Sequence, residues 1–268
     1  MLRDITLGQY YQADSVLHRL DPRVKLVGTI TYIIALFVSK SLWGYLLATV
    51  FLVCMIRLSK VPVKFMVKGM KAIAFLIVIT VVFNMLMTPG EPIVSFWKRT
   101  ITREGAVMAF TMTLRLTYLI IGSSIMTLTT TPNQLTDGLE TLLGPLKKIH
   151  VPVHEIAMMM SIALRFIPIL MDETDKIMKA QMARGASFDT GNLMQRAKSL
   201  VPLLVPLFIS AFRRANDLAM AMEARCYRGG DSRTKMKPLK YAKADALGYL
   251  VLVLLFASSV AIRVIVGK

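Results

Sequence analysis

The sequence predicts an all-α, polytopic membrane bundle of about five spans, with long amphipathic helices on its cytoplasmic side. Three observations predict it. Of the 268 residues, 55% are hydrophobic and only 18% are charged, and the mean hydropathy is +0.57, outside the range of ordinary soluble domains. The apolar residues fall into runs near spanning length, separated by basic segments. Lys and Arg number 33 against 16 Asp and Glu, a formal charge of +17. A chain this apolar and this basic is neither a disordered tail nor an acidic solvating segment.

The elements follow in order. Residues up to Arg23 are polar and include Asp4, Asp14, Arg19 and Asp21, unlike a signal peptide, so the first apolar run is expected to be retained. Val24 to Val38 and Leu42 to Ile56 are short for straight spans, and Lys25, Lys40 and Arg57 are expected to snorkel from their ends. The Ser39-Lys40-Ser41 link leaves room only for a tight antiparallel hairpin. A third span is expected over Ala72 to Met87, ending before Pro89-Gly90. A fourth covers Ala106 to Leu128 and carries Arg115, and a fifth covers Ala246 to Val266. Arg3, Arg19, Arg23 and Lys25 precede the first span, and Arg57, Lys60, Lys64, Lys68 and Lys71 separate the second from the third. The positive-inside rule places both groups, and hence the N-terminus, in the cytoplasm, and the C-terminus outside. The opposite-side loop fits less well, with Lys98, Arg99 and Arg103 set against Glu91 and Glu104.

Thr131 to Lys243 holds 17 of the 33 basic residues. Its apolar segments Ile156 to Met171 and Leu200 to Phe212 are below spanning length, the first interrupted by Arg165 and Pro168, the second by Pro202 and Pro206. A crossing by either would put a basic cluster on the wrong side, so both are expected to lie on or beneath the membrane. The division is therefore 1–130 as a four-span membrane domain, 131–243 as a cytoplasmic helical domain, and 244–268 as the last span. Thr131-Pro132-Asn133-Gln134 is a capping box, and its helix should stop at Gly144-Pro145. A second helix from Val153 carries Ile156, Met159, Met160, Ala163, Ile167, Leu170, Thr174 and Ile177 at three- and four-residue steps, and stops at Arg184-Gly185. A third, from Asn192 to Arg225, places Leu193, Ala197, Leu200, Leu204, Phe208, Phe212, Ala215, Leu218 and Met222 on one side.

Both long helices finish alike, in Ala183-Arg184-Gly185 and Ala224-Arg225-Cys226. A single Arg there would be read as a complement to the helix dipole, with Gly185 as the left-handed cap. Two matching ends on tandem helices point instead to docking. The small Ala allows close approach while the planar guanidinium enters an acidic groove that Lys would serve poorly.

Those paired ends resemble the transmembrane T component (EcfT/CbiQ type) of energy-coupling-factor (ECF) ABC importers. So do Leu20-Asp21-Pro22-Arg23-Val24-Lys25-Leu26, Leu164-Arg165-Phe166-Ile167-Pro168 and the single closing span. The resemblance covers nearly the whole chain. It implies a non-catalytic bacterial cell-membrane scaffold with cytoplasmic coupling helices, linking ATP hydrolysis by two ABC ATPase subunits (EcfA type) to uptake of a vitamin or metal ion through an S component. It implies ATPase docking by Ala183, Arg184, Gly185, Ala224, Arg225 and Cys226. Cys226 departs from the Gly or Ala more expected at its position.

A lever of this kind needs hinges, and Pro168, Pro202 and Pro206 are candidates, although they equally suit simple bends along the bilayer. The 19 methionines, among them Met158, Met159, Met160, Met171, Met178, Met182, Met220 and Met222, suit a surface that repacks against differing S components, or ordinary core filling. Arg115 and Arg165 are read as structural. The run Arg225, Arg228, Arg233, Lys235, Lys237, Lys240, Lys243 flanks a span and so points to anionic lipid headgroups rather than nucleic acid. Pro152 separates His150 from His154, which removes a helical metal pair, and no phosphate-binding glycine loop occurs; no cofactor or metal is expected. Cys54 and Cys226 lie in an apolar and a basic run, without a disulfide framework or zinc cluster. The alternatives are an integral membrane enzyme, for which Asp172-Glu173-Asp175 reads as charge pairing along a helix, and a stand-alone transporter, for which no internal repeat is found.

Overall fold

The computed structural model describes residues 10–39, 41–89, 92–96, 99–186, 188, 192–229, 236 and 238–266. Of the residues used above, Arg3, Asp4, Lys40, Gly90, Glu91, Lys98, Arg233, Lys235 and Lys237 lie outside them. The elements are α1 (Val16–Arg19), α2 (Pro22–Val38), α3 (Leu42–Ser59), α4 (Val63–Met87), β1 (Pro92–Phe96), β2 (Arg99–Thr102), α5 (Arg103–Thr129), α6 (Pro132–Leu142), a 3₁₀ segment (Gly144–Ile149), α7 (Val153–Ala183), α8 (Leu193–Ser199), α9 (Val201–Ala224) and α10 (Lys243–Val266). They form two compact units. One comprises the described residues from Glu140 to Pro238, and the other those up to Leu139 together with those from Leu239 onward.

The second unit is a helical bundle built around α2 and α5. Asp21 caps α2, its Oδ1 accepting from the Arg23 amide at 2.9 Å, and Pro22 takes the first helical position, where its missing N–H costs nothing. The core joins Tyr32 and Leu36 of α2, Ala48 and Leu52 of α3, Met66 of α4, Ile125 and Leu128 of α5 and Leu255 of α10. Gly122 permits the closest approach: a Cβ there would sit 2.3 Å from the Tyr32 ring. Among the described residues Arg115 has no carboxylate partner. Its Nε donates to the Tyr45 hydroxyl at 3.1 Å and a terminal nitrogen donates to the Ser39 carbonyl at 3.4 Å, so the charge fastens α5 to the α2–α3 turn.

Several expectations are corrected. The third span was bounded by hydropathy at Ala72, but α4 begins at Val63, because Lys64, Lys68 and Lys71 are adequate helix formers even where they are not apolar. A short antiparallel ribbon, β1 with β2, follows α4; every other element of the described residues is helical, in keeping with the all-α expectation. Lys25 does not snorkel. It is 8% exposed, and its Nζ donates to the carbonyls of Thr129 at 2.9 Å and His18 at 3.3 Å, oxygens at helix ends that lack intrahelical partners.

In the first unit, α7 is one unbroken helix of 31 residues that runs through both Arg165 and Pro168. A proline forfeits one backbone bond without ending a helix that is otherwise supported. By length and composition α3, α5, α7 and α10 could each cross a membrane, and α4 contains a shorter apolar stretch, Ile73–Met87; the brevity ascribed to Ile156–Met171 does not hold. The third expected helix divides at Leu200 into α8 and α9. Pro202 adjoins the break: it has no N–H to return to the Lys198 carbonyl, which removes one rung of the ladder where the chain turns at Leu200.

Candidate functional site

The start of α6 is set by the expected capping box, with the Gln134 amide donating to Thr131 Oγ1 at 3.3 Å and the Thr131 amide to Gln134 Oε1 at 3.2 Å. Entry into α7 is fixed by His154, whose Nδ1 lies 2.8 Å from Glu140 Oε1. From there α7 and α9 run antiparallel. Gln181 Nε2 donates to the Pro202 carbonyl at 3.4 Å, while Arg214 donates to Glu173 at 3.2 Å, so stepping back along α7 is stepping forward along α9. The prolines explain the first of these contacts. Pro206 has no N–H for the Pro202 carbonyl four residues earlier, which leaves that oxygen free for Gln181. Glu173 thus pairs across helices, which corrects, for that residue, the expectation of charge pairing along its own helix.

The two Ala-Arg ends are geometrically alike. At α7, the Gly185 amide donates to the Met182 carbonyl at 3.0 Å and the Ala186 amide to the Gln181 carbonyl at 3.0 Å, with Gly185 at φ +87°. At α9, the Cys226 amide donates to the Glu223 carbonyl at 2.8 Å and the Tyr227 amide to the Met222 carbonyl at 3.1 Å, with Cys226 at φ +55°. Both are Schellman caps, in which a left-handed residue turns the chain back to satisfy the last carbonyls. Arg184 and Arg225 occupy the same cap position, Ala183 and Ala224 close the helices, and all six residues are exposed. Among the described residues neither guanidinium has a hydrogen-bond or ion-pair partner for its side chain. Since Arg184 follows the contact with the first turn of α9 and Arg225 ends that 24-residue helix, the two guanidinium groups lie on the order of 30 Å apart. The arrangement presents two matching, exposed cationic tips, each with the planar guanidinium geometry that suits an acidic recess.

The proline candidates separate. Pro168 and Pro206 lie within helices, whereas Pro202 sits in the first turn of α9, beside the break at Leu200. Along α9, Leu204 (43%), Phe208 (62%) and Phe212 (68%) are exposed, so the apolar face expected from spacing is present and uncovered.

The sequence reading overlooked Asp245. It is 2% exposed, and its carboxylate accepts from the Asp21 amide at 2.8 Å and the Ala242 amide at 2.7 Å. An acidic residue in the first turn of an apolar helix was the visible signal; its partner 224 residues away was not. Beside it, burial pushes the Asp21 carboxyl up, but the hydrogen bonds from the Arg23 guanidinium and amide, with the charges of Arg23 and Lys25, hold it below its ordinary value.

Comparison with known proteins gives the same answer throughout. Residues 13–236 match the family model CbiQ, described as cobalt transport protein. The chain is 56% identical to the energy-coupling factor transporter transmembrane protein EcfT of Clostridium kluyveri over the full length of both chains. It is 53% identical to that of Thermosediminibacter oceani, over 98% of this chain and 100% of the relative, and 46% identical to that of Bacillus subtilis, over 96% and 97%. With its apolar spans, its paired Arg-capped helices and relatives matched from end to end, the chain belongs to the CbiQ/EcfT family of transporter membrane proteins.

Proposed function

We propose that this chain is the scaffold and energy-coupling subunit of an ECF-type importer. It performs no chemistry on substrate itself. Two ABC ATPase subunits hydrolyse ATP, and one or more S components in the same membrane capture a vitamin or metal ion. The N-terminus and α6–α9 are cytoplasmic, and α7 lies along the membrane surface rather than across it. The reason is charge: a crossing by α7 would place either Lys147 and Lys148 or Lys176 and Lys179 outside. The basic residues ahead of α10, Lys240 and Lys243 among them, meet anionic headgroups.

The observation that carries this reading is the pair of matching caps. Ala183-Arg184-Gly185 and Ala224-Arg225-Cys226 dock one ATPase subunit each, at opposite ends of the α7–α9 pair. When the two subunits close on nucleotide, the two tips are displaced together, and the helices carry that displacement towards the membrane bundle. Pro168 and Pro206 supply places for the levers to flex. The exposed methionines Met159, Met160 and Met182 and the aromatic face of α9 offer a repackable surface to differing S components.

The test is charge reversal. Losing a buried, hydrogen-bonded interfacial Arg costs at least ~2 kcal/mol, and tips this far apart act additively. Arg184→Glu with Arg225→Glu should abolish co-purification of the ATPase subunits from native membranes, while the chain still inserts and each single reversal only weakens assembly. Undiminished co-purification by the double variant refutes the proposed docking.

A further inference from the structure

The segments that carry the chain out to residues 140–238 and back all meet the first turn of α2. The end of α5 is bound there by Lys25 Nζ, 2.9 Å from the Thr129 carbonyl. Helix α6 is pressed onto the same turn: a Cβ on Gly138 would sit 3.1 Å from Pro22 Cβ and 3.2 Å from Leu26 Cδ1. The approach to α10 is bound twice. Asp245 accepts from the Asp21 amide at 2.8 Å and from the Ala242 amide at 2.7 Å, and the Arg23 guanidinium lies 3.9 Å above the Tyr241 ring. Arg23 is itself held to Asp21 by bonds of 3.0 and 2.9 Å.

Four charged side chains, Asp21, Arg23, Lys25 and Asp245, are thus each under a tenth exposed within about one helical turn. Apolar residues of similar size would staple helices together at less cost in desolvation. What charges add is a single permitted geometry, since each bond has a direction and an unmade one leaves a buried charge. That geometry is imposed where the covalent paths to the coupling helices enter and leave the bundle.

We infer that the first turn of α2 is the joint through which α6–α9 act on the bundle, with Asp21, Arg23, Lys25 and Asp245 as its positioning residues. The inference rests on the coupling role proposed above. A displacement of the coupling helices is delivered to α2, α5 and α10 together, as one block, instead of being dissipated in three independent connections.

The experiment is hydrogen exchange on the full complex purified with its native partners, nucleotide-free and trapped with ATP and vanadate. In the wild type, α2, α5 and α10 change their exchange on trapping. In Lys25→Met and Asp245→Asn complexes the subunits still assemble, ATP is still hydrolysed and residues 140–238 still respond. The response of α2, α5 and α10 falls about fivefold or more, the low end of ordinary coupling, and Lys25→Arg restores most of it. Retention of the full bundle response in either assembled variant overturns the joint. So does a second result that needs no variant: in the wild type the Asp21 and Ala242 amides stay equally protected in both states, and loosening of either on trapping means the block does not move as one. A wild-type complex without any ATPase is a different failure, which removes the coupling role and the joint with it.

Discussion

The two caps make the same demand on their left-handed residues, met by a glycine at one end and a cysteine at the other. Gly185 sits at φ +87° with nothing within 4 Å of where a Cβ would be, so Gly185→Ala meets no steric obstacle and its cost is backbone strain alone. A left-handed non-glycine residue costs about 1–2 kcal/mol, of which roughly 0.4–1 is recovered because the unfolded chain is stiffer. Within the folded protein the opening of the last turn is local. A net ~1 kcal/mol then multiplies the open population about fivefold. Asn tolerates the left-handed region and should cost less than Ala, and β-branched Val should cost more. Cys226 already bears this strain at φ +55°. Cys226→Gly relieves it but restores chain entropy, so the net change should stay within about 0.5 kcal/mol. The assay is amide exchange at Gly185 and Ala186, whose N–H groups close the α7 cap, and at Cys226 and Tyr227 for α9. Wild-type protection in Gly185→Ala, or Val outperforming Asn, would show that the cap does not hold Arg184 in the way described.

Other consequences are more direct. Because Asp21 titrates below its ordinary value in the fold, the stabilisation it gives is complete above the unfolded carboxyl value of about 3.9 and is lost as pH falls through its lower folded value; thermal unfolding of Asp21→Asn and wild type in detergent should differ at neutral pH and converge in acid below about pH 4. Gly122→Ala drives a methyl group into the Tyr32 ring and should destabilise the bundle by about 1–3 kcal/mol, visible as a lower melting temperature. Pro202→Ala supplies an N–H for the Lys198 carbonyl and should join α8 to α9, seen as protection of the new amide where the present chain has a break at Leu200.

Much of this was legible because local chemistry marks local structure. The Thr131–Gln134 capping box formed as written, and α7 was bounded within a residue by Val153 and Gly185. The matched Ala-Arg ends could be read as a repeat, although only the fold shows that both adopt the same cap, with Cys226 in the left-handed conformation that glycine takes at the other end. Hydropathy misplaced the start of α4, since it measures where a helix can meet lipid and not where a helix begins. Pro202 was read as a possible hinge and proved to border a helix break, while Pro168 was passed through by α7. Lys25, Asp245 and Arg115 were beyond sequence reasoning for one reason: each has a partner remote in sequence, the Thr129 carbonyl, the Asp21 amide and the Tyr45 hydroxyl respectively, and no spacing rule reaches them.

The central claim is that both Arg tips touch nucleotide-binding subunits on the cytoplasmic face. It is tested most directly by photo-crosslinking from native Cys226 and, in a Cys226→Gly chain, from Arg184→Cys, both with Cys54 replaced by Ala. A maleimide-linked benzophenone is attached in inside-out vesicles and irradiated in the assembled complex. Crosslinks to an ATPase subunit from both positions are expected, with no labelling by impermeant maleimide in right-side-out vesicles. Labelling from outside, or crosslinks confined to the chain itself, would contradict the account.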